Sequence, residues 1–230
     1  MPQTLRKDDP LVRLFASFRT MSDRHKAALD PYLDVEGYVE DDHRRAHTRR
    51  ERIDALEAKQ FLEQVMGLLA EYYVLPTGLA VTLLGTDGDS HTLITGQLDT
   101  AAREVFLHGQ CHAFARALSD HTGWPMAVII SDDCALNPDL CGADSVVEDV
   151  CACQLEHVVA VRPDGAHIDI TGAHLPGAVP GYEGQEAVTL TDALWSHISR
   201  SPLWRRPAVD EARTFVAPLL ATLDSERGAA

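Results

Sequence analysis

Glu156-His157-Val158-Val159-Ala160-Val161-Arg162-Pro163-Asp164-Gly165-Ala166-His167-Ile168-Asp169-Ile170 reads as two short β-strands joined by a turn. Valine and isoleucine suit a pleated, half-buried surface, and Pro-Asp-Gly between the two arms supplies turn chemistry for an antiparallel hairpin. Folding the arms about Pro163 predicts that His157 lies opposite Asp169. Alternation places His157, Val159 and Val161 on one face of the first strand. On the second strand His167 and Asp169 share a face, with Ile168 and Ile170 on the other. A carboxylate flanked by two isoleucines is an odd occupant for a merely solvated edge. The bland alternative, a polar edge carrying both residues by coincidence, stays open.

Working upstream, Met126 to Ile130 reads as a further strand, preceded by the helix-breaking Gly123-Trp124-Pro125. Before that break a helical run, Leu107 to Leu118, opens at Cys111. Ala80 to Leu84 and His91 to Thr95 are strands around a loop of hairpin composition, Gly85 to Ser90. Asp99 can cap a short helix through Phe106. Residues 1–75 read as helical. Leu11, Leu14, Phe15 and Phe18 form a stripe that fades at Asp30-Pro31. A longer helix, from about Asp42 to Tyr73, carries Ile53, Leu56, Phe61, Val65, Leu68 and Leu69 on one face until Pro76 and Gly78 end it. Downstream of the hairpin come a Gly/Pro-rich loop (172–184), a helix near Asp192 to Ser199, and a last helix from Pro207 to Leu223 with Pro218 as a kink. The predicted class is α+β: an antiparallel sheet packed with helices. Residues 1–76 form an N-terminal helical layer, and residues 77–230 form an α+β core with a cysteine-rich insertion at 131–153.

Composition limits the functions available. An apolar fraction of 45% in 230 residues is enough for a buried core, which excludes whole-chain disorder. The longest apolar runs are too short to cross a bilayer, and MPQTLRKDDP leads into no apolar segment, so a cytoplasmic protein is expected. A net charge of −15 opposes nucleic-acid binding, which needs counterion release by many cations. The basic island Arg44 to Arg52 reads as the solvated start of a helix, the alternative being a partner-binding arm.

Five cysteines in such a chain do not suggest a disulfide framework. Cys134, Cys141, Cys151 and Cys153 fall within 20 residues and could hold a structural zinc, although no Cys-x-x-Cys pair is present. Cys111 stands apart. A helix N-terminus stabilises a thiolate through unpaired backbone N–H groups, and Gly109 just before it permits a tight approach. A small buried hydrophobe is the competing role for such a residue. A thiol also needs a base, and the base needs a third group to hold its tautomer. His157 and Asp169 are placed to supply both. A zinc on His108 and His112, spaced i to i+4, is disfavoured because the helix opens only at Cys111.

Gly109-Gln110-Cys111-His112-Ala113-Phe114-Ala115, Thr122-Gly123-Trp124-Pro125, Glu156-His157-Val158-Val159 and Asp164-Gly165-Ala166-His167-Ile168-Asp169, in that order, resemble the core of the papain-like and transglutaminase-like thiol superfamily. The resemblance spans roughly residues 97–172. It implies that Cys111 attacks a carbonyl to form an acyl-enzyme, that His157 acts as base and then acid, and that Asp169 orients the imidazole. It also implies an oxyanion hole made by the Cys111 N–H and one more donor, with Gln110 and Gln97 as candidates. His112, where an aromatic residue often follows the nucleophile, departs from the papain pattern. No cofactor is required, and a protein or peptide substrate is expected. Hydrolase, deamidase and acyltransferase chemistry all remain open, as does a non-catalytic binding module whose acidic surface meets a basic partner.

Overall fold

The computed structural model describes residues 3–29, 72–85, 89–131, 146–200 and 204–228, with scattered positions between 54 and 69. The basic island Arg44 to Arg52, Cys134 and Cys141 lie outside the described residues. The chain divides into two compact units, 1–76 and 77–230. Among the described residues no helix is long and apolar enough to cross a membrane.

In the first unit β1 (Gln3–Thr4) pairs in parallel with β2 (Tyr73–Val74). Between them α1 (Pro10–Leu29) starts where proline costs no hydrogen bond, with Asp9 Oδ1 accepting from the Leu11 N–H at 2.9 Å. The buried stripe of α1 is Val12, Phe15 and Arg19, an i, i+3, i+7 set, whereas Leu14 is exposed. The face expected from Leu11, Leu14, Phe15 and Phe18 is thus rotated: Val12 replaces Leu14 beside Phe15. Most of the helix expected from Asp42 to Tyr73 lies outside the described residues; within it Asp54, Phe61, Leu62 and Leu69 are helical.

The second unit is α+β. A two-stranded hairpin, β3 (Ala80–Leu84) with β4 (Ser90–Ile94), leads into α2 (Thr100–Leu107), whose first turn is capped by Asp99 accepting from the Ala102 N–H at 2.9 Å. Gly109, at φ 98°, then lets the Gln110 N–H reach back to the Val105 carbonyl, the bond that closes a Schellman turn. A side chain with a Cβ is strained in that left-handed conformation. The reversal starts α3 (Cys111–Thr122) at the cysteine itself. β5 (Met126–Ile130) follows, then a small hairpin of β6 (Val146–Val147) and β7 (Val150–Cys151), a 3-10 turn (Ala152–Gln154), β8 (Leu155–Val161), β9 (His167–Asp169), β10 (Gly172–His174), β11 (Glu186–Thr189), α4 (Asp192–Arg200) and α5 (Val209–Gly228). The last helix runs through Pro218.

Five strands form one antiparallel sheet in the order β10-β9-β8-β5-β11. Its α3 face contributes Ala160, Ile168 and Ile170 to a core shared with Phe106, Phe114 and Phe215; the ring centroids of Phe106 lie 5.6 and 5.2 Å from the other two. Fully burying each such side chain stabilises the fold by about 1.5–3 kcal/mol. The opposite face presents Val159, Ala127 and Ile129, which Val179 and Tyr182 of the loop before β11 cover.

Two details of the sheet place the site. First, the hairpin register differs from the expected one. Val161 pairs with His167 and Ala160 with Ile168, which sets Asp169 opposite Val159 rather than His157. Gly165 causes this: at φ 87° it closes a three-residue turn over 163–165 instead of 162–164, with the Arg162 N–H donating to the Ala166 carbonyl at 2.9 Å. The shift is two positions, so parity survives and His157 still shares a face with Asp169 as a diagonal neighbour. Second, β8 carries a bulge. Ile129 pairs with His157 but Ile130 pairs with Leu155, leaving Glu156 as the extra residue. The bulge flips parity, so Leu155 joins Val158 in one apolar cluster despite their odd spacing. Bulges of this kind re-aim the adjacent side chain, here His157.

Candidate active site

The three residues singled out from the sequence arise from three separate elements: Cys111 opens α3, His157 follows the bulge of β8, and Asp169 ends β9. All are shielded from water, with relative exposures of 4%, 0% and 2%. Cys111 belongs to an apolar cluster with Ala115, Val128, Leu155 and Val158, so its surroundings are partly aliphatic. They are not wholly so. Burial pushes the thiol up, but the charge of His157 and contacts with His112 and His157 more than offset this and bring it down to about 5. Burial likewise lowers His157, yet the Cys111 charge and the Asp169 carboxylate raise it to about 10. Between those limits the pair is a thiolate and an imidazolium.

His157 Nε2 stands 3.5 Å from Asp169 Oδ2, an ion-pair contact longer than an ordinary hydrogen bond. That orientation leaves Nδ1 for the sulfur, and no strict hydrogen bond closes on either ring nitrogen. Loose contacts of this kind are common before substrate arrives. Asp169 is itself tightly held. Its Oδ1 accepts from the Thr171 N–H at 2.7 Å and from the Thr171 hydroxyl, and His174 Nε2 lies 3.1 Å away. Oδ2 is therefore the oxygen reserved for His157. Burial works against ionisation, but His157, Thr171 and His174 together bring the carboxyl down to about 2.

The start of α3 is electrostatically open. Gln110 occupies the cap position without capping. Instead its Nε2–H donates to the Arg206 carbonyl at 3.1 Å and its Oε1 accepts from the Ala208 N–H at 2.9 Å. The first-turn N–H groups are thus left to stabilise an anion at Cys111. His112 is fully buried, and its Nε2 donates to the Arg205 carbonyl at 2.9 Å, with Trp204 edge-on at 5.1 Å. Residues 110 and 112 therefore clamp the 205–208 backbone on both sides of the nucleophile. Gln110→Ala strands a buried N–H, and it is expected to cost about 2–3 kcal/mol in denaturant unfolding.

The remaining expectations fare differently. Gln97 is exposed in the turn after β4. His108 is exposed while His112 is buried and committed to a carbonyl, so the i, i+4 zinc pair does not form, because the chain reverses at Gly109 between them. Among the described residues no group of three or more His, Cys, Asp or Glu side chains is arranged to hold a metal. Two residues not anticipated from sequence complete the site. Tyr182 stacks on the His157 ring at 4.9 Å and 16°. Burial and the charges of Cys111, Glu156 and Asp169 push its phenol up to about 12, so it stays neutral. His174, opposite His167 in the β9–β10 ladder, is the second partner of Asp169.

Comparison of the chain with protein-family models, with curated proteins and with solved structures finds no match.

Proposed function

We propose that this protein is a cysteine-dependent hydrolase or acyltransferase with a papain-like or transglutaminase-like core. It acts on an amide or acyl bond, such as a peptide bond or a glutamine side chain, through an acyl-enzyme on Cys111. One observation carries the reading: a thiol at an uncapped helix N-terminus is charge-coupled to an imidazole whose other nitrogen faces a buried carboxylate. In this mechanism the Cys111 thiolate attacks the carbonyl carbon, and the developing oxyanion is stabilised by the Cys111 N–H. The His157 imidazolium gives its proton to the leaving group. The neutral imidazole then takes a proton from water or an acceptor nucleophile, whose oxygen or nitrogen displaces the sulfur. Asp169 keeps the ring oriented and Tyr182 covers its face. Gln110, with its amide committed to residues 206 and 208, serves as a clamp rather than an oxyanion donor.

The alternative is a non-catalytic binding module of the same fold, which the 4% exposure of Cys111 favours. Intact-mass spectrometry after incubation with p-nitrophenyl esters and glutamine-containing peptides separates the two. The expected result is an acyl-sized mass gain on the wild type that is absent from Cys111→Ala. An unmodified wild type across the panel, together with iodoacetamide labelling of Cys111 no faster than that of a free thiol, sinks the enzymatic reading.

A further inference from the structure

The hairpin after Ile170 brings a further imidazole to the buried carboxylate. β9 and β10 are joined through Ile170 and Thr171, and Asp169 pairs directly with Gly172. Gly172 has no side chain to set against the carboxylate, so the diagonal neighbour His174 reaches it. His174 Nε2 stands 3.1 Å from Asp169 Oδ1 and 3.0 Å from the Thr171 hydroxyl oxygen. The N–H and hydroxyl of Thr171, two residues along, also serve Oδ1. Those bonds are local to the turn, whereas His174 comes from the neighbouring strand. We infer that His174 is a positioning residue: its Nε2–H, held against Oδ1 and the Thr171 hydroxyl, fixes the Asp169 carboxylate so that Oδ2 stays turned to His157. The inference rests on the Cys111–His157–Asp169 reading and extends it by one residue.

The protons fix the direction of each bond. An ionised carboxylate only accepts, and a threonine hydroxyl has one proton to give. That proton goes to Oδ1, so toward His174 the Thr171 oxygen acts as an acceptor. Nε2 therefore carries a proton, shared between two oxygens that have none to offer it. His167 sits opposite His174 in the ladder and is buried as well. Burial, and after it the charge of His174, push His167 down, so it is uncharged at neutral pH and leaves the carboxylate to His174. Donors thus converge on Oδ1, while Oδ2 accepts no strict hydrogen bond and faces the His157 ring. A carboxylate pinned through one oxygen keeps the other aimed at the group it must orient. Without His174 it is held by its own turn alone, and its hold on the imidazolium weakens.

The test is the pH dependence of iodoacetamide labelling at Cys111, followed by peptide mapping, in the full-length wild type, His174→Ala and His174→Gln. Glutamine carries an N–H as many bonds from Cα as the imidazole Nε2, so it replaces the bond without the ring. The wild-type midpoint near pH 5 is expected to rise by about one unit in His174→Ala, with labelling about tenfold slower on its acid side. His174→Gln should bring it back to within about 0.3 unit of the wild type. A merely structural histidine would lower the urea midpoint of His174→Ala and leave its labelling midpoint in place, and that result overturns the inference. Should His174→Ala fail to fold, the tautomer of His174 in wild-type ¹⁵N NMR still decides: a proton on Nε2 supports the inference, and a bare Nε2 overturns it. Alkylation needs the thiolate but no acyl transfer. A wild type that labels from about pH 5 yet gains no acyl mass from esters therefore sinks the enzymatic reading alone, and the variants still decide this inference. A wild-type midpoint near the ordinary thiol value of about 8.5 removes the ion pair and this inference with it.

Discussion

At about pH 6, His157→Ala should slow iodoacetamide labelling of Cys111 by about 10²–10³-fold, because the thiol then loses the charge that holds it ionised. The wild-type thiol is down at about 5 and the imidazole up at about 10, so the thiolate–imidazolium pair persists between them. These are macroscopic steps of the coupled pair. Labelling of the wild type should therefore rise through about pH 5 and stay level to near pH 10. Turnover, which also needs the imidazolium as acid, should fall as that second limit is passed. Without His157, burial raises the thiol against only His112 and the helix N-terminus, and the labelling curve should move up by about three units. Measured rate constants from about pH 4 to 10.5 on both proteins check this. Equal rates at about pH 6 would show that His112 and the helix N-terminus suffice, and would remove His157 from the mechanism. His112→Ala is the companion variant, expected to shift the curve in the same direction but by less.

The sequence and the structure meet at the level of faces rather than registers. His157 and Asp169 share a face because strand alternation has a period of two, and that survives any even slip. The position of the slip was not legible. The segment Arg162-Pro163-Asp164-Gly165 admits a three-residue turn centred on either Pro163 or Asp164, and only the left-handed Gly165 decides between them. The bulge at Glu156 left no mark either, since one extra residue in an apolar strand changes no propensity. Cys111 at a helix start was readable because Gly109 and the helix-forming run after it are local signals. Gln110 as a clamp was not, since its partners are residues 206 and 208, far along the chain. The β6–β7 hairpin was hidden for another reason. Its turn puts Glu148 and Asp149 at φ 52° and 66°, conformations that Asn-Gly or Asp-Gly would announce and that two acidic residues do not. Tyr182 sits in a loop with no periodicity, so its stacking on His157 is a purely tertiary fact.

Replacing Asp169 should have the largest effect on both stability and chemistry, and the two effects can be separated. Asp169→Ala leaves the buried His157 imidazolium with the Cys111 thiolate but without the carboxylate on its other side, and it frees the Thr171 and His174 groups that now converge on Oδ1. Removing one partner from a buried pair costs about 3–5 kcal/mol, and a loss of that size is expected in denaturant unfolding at neutral pH. Asp169→Asn keeps the volume and one acceptor oxygen for Thr171, so it should cost less. Its amide can still present an N–H toward Nε2, which favours the wrong tautomer, so turnover should fall by at least about 10²-fold even where the fold holds. The wild-type carboxyl is down at about 2 against an ordinary value near 3.9. A depressed carboxyl contributes stability that is fully present above its unfolded value and lost as the pH falls through its folded one. That contribution is about 2–3 kcal/mol, disappearing between about pH 4 and 2. Asp169→Asn, having no proton to take up at this position, should show a correspondingly shallower acid limb in urea midpoints measured from pH 7 downward. If wild type and Asp169→Asn lose stability in parallel across that window, the carboxylate is not ionised beside His157, and the imidazole that activates Cys111 lacks the orienting charge on which the mechanism depends.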